Sequence, residues 1–370
     1  MNLKSITLYF ISAGLKSPFV THLETVEERE AIIVETMDQE GVKGYGEVTA
    51  FSSPWYTEET VVTAHHILKD FLIPALFQYK IKSPKEIEHV FKKFRRNNMA
   101  KAGLEQSLWD LYARQMGVPI YSLFGGKGGK IPSGAVISGA SSGKAIQQIE
   151  RLREENYQRY KIKISRTNDY EVLQDIRRNF PDLPLMADAN SDYTLEDSSH
   201  LRRLDEFRLM MLEQPLAHDD IVEHSLLQKE LKTPVCLDES IHSYYDAIGA
   251  IRLGSCKIIN IKMSRVGGWT QAKKIHDLCL RQGIPVWCGG MVEFGVSRAH
   301  NIALASLPGF TIAGDIASSS RYWEEDIIQP EIKAINGWIS VPEKSGIGFD
   351  INEKRLLRIT SHKEIYTMKD

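Results

Sequence analysis

Short apolar runs, each ending in a polar or glycine residue, recur through the second half of the chain. They read YKIK, LPLMAD, LMMLE, PVCLD, INIK and PVWCGG, and they end at Lys163, Asp188, Glu213, Asp238, Lys262 and the Gly289–Gly290 pair. Counted to Gly289, the intervals are 25, 25, 25, 24 and 27 residues. One strand, one helix and two loops fill that length. Strand-like and helix-like text alternates over 126–325, which predicts seven or eight βα units around a parallel sheet. In a barrel closed from such units, all six landmarks lie on the rim at the C-terminal ends of the strands.

Residues 1–125 carry a different pattern. AIIVETMDQEGVKGYGEVTAF holds two β-type runs around a DQEG turn and predicts a hairpin. SAGLKSPFVTHLET before it and TAFSSPWYTEET after it read as polar loops. Helical spacing follows over 58–79, 84–96 and 100–117. FGGKGGKIP, at 124–132, is the strongest punctuation in the chain, and the tail GWISVPEKSGIGFDI returns to β-like text. The expected organisation is an α+β capping domain, 1–125, completed by the tail, 326–370, on an α/β barrel over 126–325.

Composition narrows the function classes. Of 370 residues, 42% are hydrophobic and 25% charged, as in an ordinary soluble protein. Forty-six Lys+Arg against 48 Asp+Glu give a net charge of −2, so no basic excess points to nucleic acid. No stretch reaches the roughly 18 apolar residues of a membrane span, and the N-terminus lacks the continuous apolar core of a signal peptide. The four cysteines, Cys236, Cys256, Cys279 and Cys288, have no CxxC spacing and sit in apolar runs, as buried free thiols would. A cytoplasmic protein acting on a small molecule is expected. No surface for self-association can be read, and a homo-oligomer is compatible with the sequence.

The landmark residues suggest chemistry. Hard divalent cations take oxygen ligands, and carboxylates at three successive strand ends can converge on one ion. Each of Asp188, Glu213 and Asp238 could instead cap the helix that follows it; their common period favours the metal. Asn190 shares the face of Asp188 if its strand continues, as a weak ligand, a substrate donor or a turn residue. Lys161 and Lys163 share one strand face; Asn260, Lys262 and Ser264 share another. Lysines aimed into a barrel are costly unless paired, and two such strands flanking the carboxylates suggest acid/base groups. Glu239 should face away from Asp238. Arg265 either binds an anionic substrate or pairs with a neighbouring carboxylate. Gly289, Gly290 and Met291 end a strand in bare backbone, which either holds a carboxylate or relieves crowding. AGDIASSSRYW, 313–323, is a further polar strand-end loop that can line the site.

Taken together, KIK at 161–163, DAN at 188–190, EQP at 213–215, LDESI at 237–241, NIKMSRVGG at 260–268 and GGM at 289–291 resemble the enolase superfamily. The paired lysines resemble its muconate-lactonising subgroup. FSSPWYTEET, MAKAGLE and DIASSSRYWEEDI look like the branch that holds o-succinylbenzoate synthases and N-succinylamino acid racemases. The resemblance implies a (β/α)7β modified TIM barrel with an α+β cap. It implies Mg²⁺, with Mn²⁺ as a substitute, on Asp188, Glu213 and Asp238. Lys163 would then remove the proton α to a substrate carboxylate, with Lys262 on the opposite face. Lys161, Asn190, Arg265, Gly289, Gly290 and Met291 would contact the small-molecule carboxylate. Loops at 13–25 and 49–60 would close over it, with Phe19 and Tyr56 among their contacts. One departure is Phe294, where that branch suggests a smaller polar residue and hence a different pocket shape.

Overall fold

The computed structural model describes residues 1–21, 23–137 and 141–368. Strands Leu3–Val20, Thr25–Asp38 and Lys43–Val48 form an antiparallel meander, and Thr360–Thr367 adds to its edge beside Leu3–Val20. The predicted hairpin turns at 38–42, where Asp38 Oδ1 accepts from the amides of Glu40 (3.0 Å) and Val42 (2.8 Å). The stretch read as a polar loop before it is largely strand. Its pairing breaks only between Gly14 and Phe19, and its outer residues are mostly exposed. A strand end with one wet face loses the apolar alternation that marks strands.

Helices Val61–Ile67 and Ile73–Tyr79 are joined by a π-helical turn over 68–72; Ile87–Phe91 and Asn98–Gln115 follow. Asn98–Gln115 is buried on almost every side, because it lies between the capping sheet and the barrel.

Seven parallel strands stand in sequence order: Gly134–Ile137, Arg159–Lys163, Leu185–Asp188, Leu212–Glu213, Val235–Leu237, Ile258–Ile261 and Val286–Cys288. Residues 310–316 close the ring. Phe310 bridges Val286 and Gly314 bridges Ser133, both in parallel. The Asp315 amide donates to Cys288 O at 2.9 Å, and the Gly134 amide to Gly314 O at 2.8 Å. Among the described residues, a principal helix follows each of the first seven segments: Ser142–Arg153, Asp169–Asn179, Ser198–Arg203, Val222–Glu230, Tyr244–Leu253, Trp269–Gln282 and Gly295–Ala305. The expected (β/α)7β barrel is therefore formed. Met186, Met211, Cys236, Ile258 and Trp287 plug its interior. All four cysteines are free and buried, and burial pushes the Cys256 and Cys279 thiols up to about 12. Among the described residues, no helix is long and apolar enough to cross a membrane.

Cap and barrel share buried polar ties. Glu47, on Lys43–Val48, accepts from the amides of Phe294 and Ser297, both at 2.8 Å, at the start of Gly295–Ala305. One helix turn further on, His300 Nδ1 accepts from Trp269 Nε1 (3.0 Å) while Nε2 faces Tyr45 O (2.9 Å). With Nδ1 an acceptor, the ring is the neutral Nε2–H tautomer. Burial lowers its pKa from 6.5 to about 4, although Asp110 and the Tyr45 carbonyl work the other way. The unfolded chain therefore binds a proton between these values that the folded chain refuses. Stability present above pH 6.5 is lost as the pH falls toward 4, by about 3 kcal/mol from this group alone. Urea midpoints of the wild type should drop over that window, and His300→Gln, destabilised at pH 7, should drop less. Parallel pH curves for the two would contradict this.

Candidate active site

Strand register assembles the rim. Lys163 pairs with Asp188, Asp188 with Glu213, and Glu213 with Cys236. Asp238 lies two residues beyond Cys236, so it returns to the same face. Asp188, Glu213 and Asp238 are at most 1% exposed. Lys161 Nζ sits 2.8 Å from Asp188 Oδ2, 2.7 Å from Glu213 Oε2 and 3.2 Å from Asp315 Oδ2. Lys163 Nζ lies 2.6 Å from both Asp188 Oδ2 and Asn190 Oδ1. Across the rim, Lys262 Nζ is 2.8 Å from Asp238 Oδ2 and donates to Tyr56 Oη at 2.9 Å. Lys161, Lys163 and Lys262 border one cavity, together with Phe19, Gly290 and Asp315.

The electrostatics are strongly coupled. Burial works against the Lys161 ammonium, but Asp188, Asp315 and Glu213 outweigh it and hold its pKa well above the lysine norm. Burial likewise opposes the charge on Lys262, and Tyr56, Glu239 and Glu213 overcome it. Asp188, despite burial, is held below the usual carboxylate range by Lys161 and Lys163. Glu213 goes the other way: burial, then Asp188, raise it. Lys161 and Lys163 pull it down, but burial together with the Asp188 and Asp315 carboxylates outweighs them. Glu213 Oε2 is moreover buried and without a hydrogen bond, its 2.7 Å contact with Lys161 being ionic.

Among the described residues, no three His, Cys, Asp or Glu side chains already stand gathered around an ion position. Lysine ammoniums stand between the carboxylates instead. The donor set still suits a divalent cation: three buried carboxylates on adjacent strand ends, with a Glu213 oxygen that no hydrogen bond satisfies.

Other expected residues fall as follows. Asn190 has φ 42°, and its amide donates to Asp188 Oδ1 (3.0 Å) and its Nδ2 to Glu239 Oε1 (2.9 Å). It is both a turn residue and a bridge from the Lys163 contact to Glu239. Arg265 pairs with a neighbouring carboxylate, one of its two expected roles. Its guanidinium pairs with Asp238 and donates to Tyr56 Oη (3.0 Å), Ile241 O (2.9 Å) and Asn260 O (2.7 Å), which leaves it 1% exposed. Ser264 leaves the face of Asn260 and Lys262, because the strand stops at Ile261 and Met263–Val266 is helical.

The glycines relieve crowding. A Cβ on Gly289 would lie 2.7 Å from Lys262 Cε, and one on Gly290 2.7 Å from Asp315 O. The Gly289 amide donates to Ile261 O (3.4 Å) and that of Met291 to Glu293, so of the three only the Gly290 amide is uncommitted among the described residues. The Met291 side chain turns away into the apolar cluster of the cap. Phe294 is not among the described residues that border the lysine cavity; it stacks on Trp323 at 4.1 Å.

Sequence reading missed three contributors. Asp315 lies in the 313–323 stretch expected to line the site but is not singled out there; it follows Gly289 by 26 residues, so the landmark period could have found it. Gln214, also at positive φ, places its Oε1 on the amides of Asp238 (3.0 Å) and Ser240 (3.2 Å), and nothing local announces that. Arg298, the third, reads as an ordinary helix residue, yet it borders the same cavity.

Comparison with known proteins agrees with this geometry. Residues 5–125 match the mandelate racemase/muconate lactonizing enzyme N-terminal domain, and residues 144–355 the enolase C-terminal domain-like family. The chain is 52% identical to o-succinylbenzoate synthase of Bacillus subtilis over 99% of both chains. It is 40% identical to an N-succinylamino acid racemase of Thermus thermophilus, over 97% of this chain and 98% of that one. A solved enolase superfamily member from Listeria innocua superposes with a TM-score of 0.97 at 39% identity, covering 100% of both chains. With family models matching residues 5–125 and 144–355, the chain belongs to the enolase superfamily, among its mandelate racemase/muconate lactonizing members.

Proposed function

We propose that this chain is an o-succinylbenzoate synthase. It dehydrates 2-succinyl-6-hydroxy-2,4-cyclohexadiene-1-carboxylate to 2-succinylbenzoate, a step of menaquinone biosynthesis, and acts in the cytoplasm. The observation that carries the chemistry is the pair of lysines, Lys163 and Lys262, bordering one cavity from either side of three buried carboxylates. The 52% identity to the Bacillus subtilis synthase carries the choice of substrate.

A divalent cation, Mg²⁺ in our reading, would be held by Asp188, Glu213 and Asp238 and would supply Lewis-acid stabilisation to the substrate carboxylate. In its neutral form, Lys163 takes the proton α to that carboxylate. The Lys262 ammonium, held in place by Asp238 and Tyr56, faces the enediolate charge that results. Collapse of the enediolate expels hydroxide from the neighbouring carbon and forms the aromatic ring. The proton collected by Lys163 leaves with that hydroxide, so one water is lost in all. Lys161 and Arg265 hold the carboxylates, and Phe19 and Tyr56 exclude water. We keep the domain division at 125/126; the pairing of Thr360–Thr367 with Leu3–Val20 supports a tail that completes the cap.

N-Succinylamino acid racemase activity is the second reading, favoured by the 40% identity to the Thermus enzyme and by a lysine on each side of the cavity. A paired assay with Mg²⁺ separates them. One arm follows 2-succinylbenzoate formation by absorbance, the other racemisation of N-succinyl-phenylglycine by polarimetry. Fast dehydration with slow racemisation is expected. Racemisation without dehydration would reverse the assignment.

A further inference from the structure

The cavity that Lys161, Lys163 and Lys262 border is also walled by Arg298, Glu293 and Tyr322. Arg298 is carried on Gly295–Ala305 and is 2% exposed. A buried guanidinium needs acceptors on its donors. Its Nη2 donates to Glu293 O at 2.8 Å, and its plane is steadied by the Tyr322 ring, 4.9 Å from the guanidinium carbon. Its Nη1 is buried without a hydrogen-bond partner among the described residues. The neighbouring carboxylate does not serve it. Glu293 gives Oε2 to the Met291 amide and Oε1 to Asn301 Nδ2 (2.6 Å), and no carboxylate pairs with Arg298 among the described residues. Before it, Val292 holds φ 56°, a costly conformation for a β-branched residue, on the same cavity wall.

A fixed, buried cation with an unspent donor beside the lysines suits a second anionic group on the ligand. We propose that Arg298 binds the terminal carboxylate of the substrate's succinyl arm, making the cavity a receptor for dicarboxylates. This rests on the function proposed above. The ring carboxylate belongs to the rim, and the arm reaches Arg298, whose planar fork suits a carboxylate better than a point charge would. The interaction is made equally before and during proton abstraction, so it acts on KM more than on kcat.

The test compares the parent substrate with its analogue carrying a terminal carboxamide on the succinyl arm, for wild type, Arg298→Met and Arg298→Lys. The wild type should prefer the acid by about 30-fold in kcat/KM, in the range of a charged hydrogen bond. Arg298→Met should lose most of that preference through a raised KM for the acid alone, and Arg298→Lys should keep part of it. A wild type indifferent to the amide overturns the proposal. So does an Arg298→Met protein with wild-type circular dichroism and undiminished preference. Should Arg298→Met fail to fold, Arg298→Lys decides: full preference with an unchanged KM for the acid overturns the proposal. Wild type that fails to dehydrate the parent substrate would instead overturn the function itself, so the two failures are separable.

Discussion

Lys163→Ala is expected to lower kcat for 2-succinylbenzoate formation by at least about a thousand-fold, within the range that positioned general bases supply. Its Nζ touches Asp188 Oδ2 and Asn190 Oδ1 and borders the cavity, with its side chain 17% exposed, so it is both held and reachable. Shortening it removes no apolar packing from the barrel plug below. Lys161 still stands 2.8 Å from Asp188 Oδ2 and keeps that carboxylate paired, so the melting temperature should change little, and metal titration should still saturate, because all three carboxylates are left in place. Racemisation, where present, should fall with dehydration, since both begin with the same proton. Retained turnover would remove Lys163 from the role of base.

Asp238→Asn should act on metal and fold together. Asp238 is fully buried, with Lys262 at 2.8 Å from Oδ2 and Arg265 on Oδ1. Replacing it with a neutral isostere leaves two buried cations without their counter-charge. Breaking a buried pair in this way costs about 3 kcal/mol. Loss of a ligand should raise the half-saturating Mg²⁺ concentration by at least about 100-fold, since even residues behind a ligand are worth 10–100-fold. Metal-dependent turnover and urea midpoints read the two effects separately. An unchanged metal titration would take Asp238 out of the ligand set.

The parts of the fold that can be read from the chain are those written in local periodicity. Each barrel strand is a short, mostly apolar run buried on both faces, so the polar or bare residues that end these runs stand out by their common interval. Lys163, Asp188, Glu213, Asp238, Lys262 and Gly289 are legible in the amino-acid sequence for that reason. What escapes depends on distant contacts. Tyr56 lies 182 residues from Asp238 in sequence, yet its hydroxyl stands 3.4 Å from Asp238 Oδ2. No spacing rule reports such a contact. Arg298 sits in a helical pattern where a surface arginine would look the same; only burial distinguishes it. Met291 follows a rim glycine, yet the chain reverses there, with Val292 at positive φ, and sends that side chain into the cap. Residues 12–20 read as loop because the strand they form has a wet face and a break in register.

The most direct test of metal-dependent proton abstraction at this rim follows 2-succinylbenzoate absorbance through a chelation cycle. Purified protein is given the cyclohexadiene substrate with Mg²⁺, then excess EDTA, then excess Mg²⁺. The account predicts product formation that stops on chelation and resumes on restoration, with Lys163→Ala silent throughout. Product formation that continues unchanged in EDTA, or none at all with Mg²⁺ present, would contradict it.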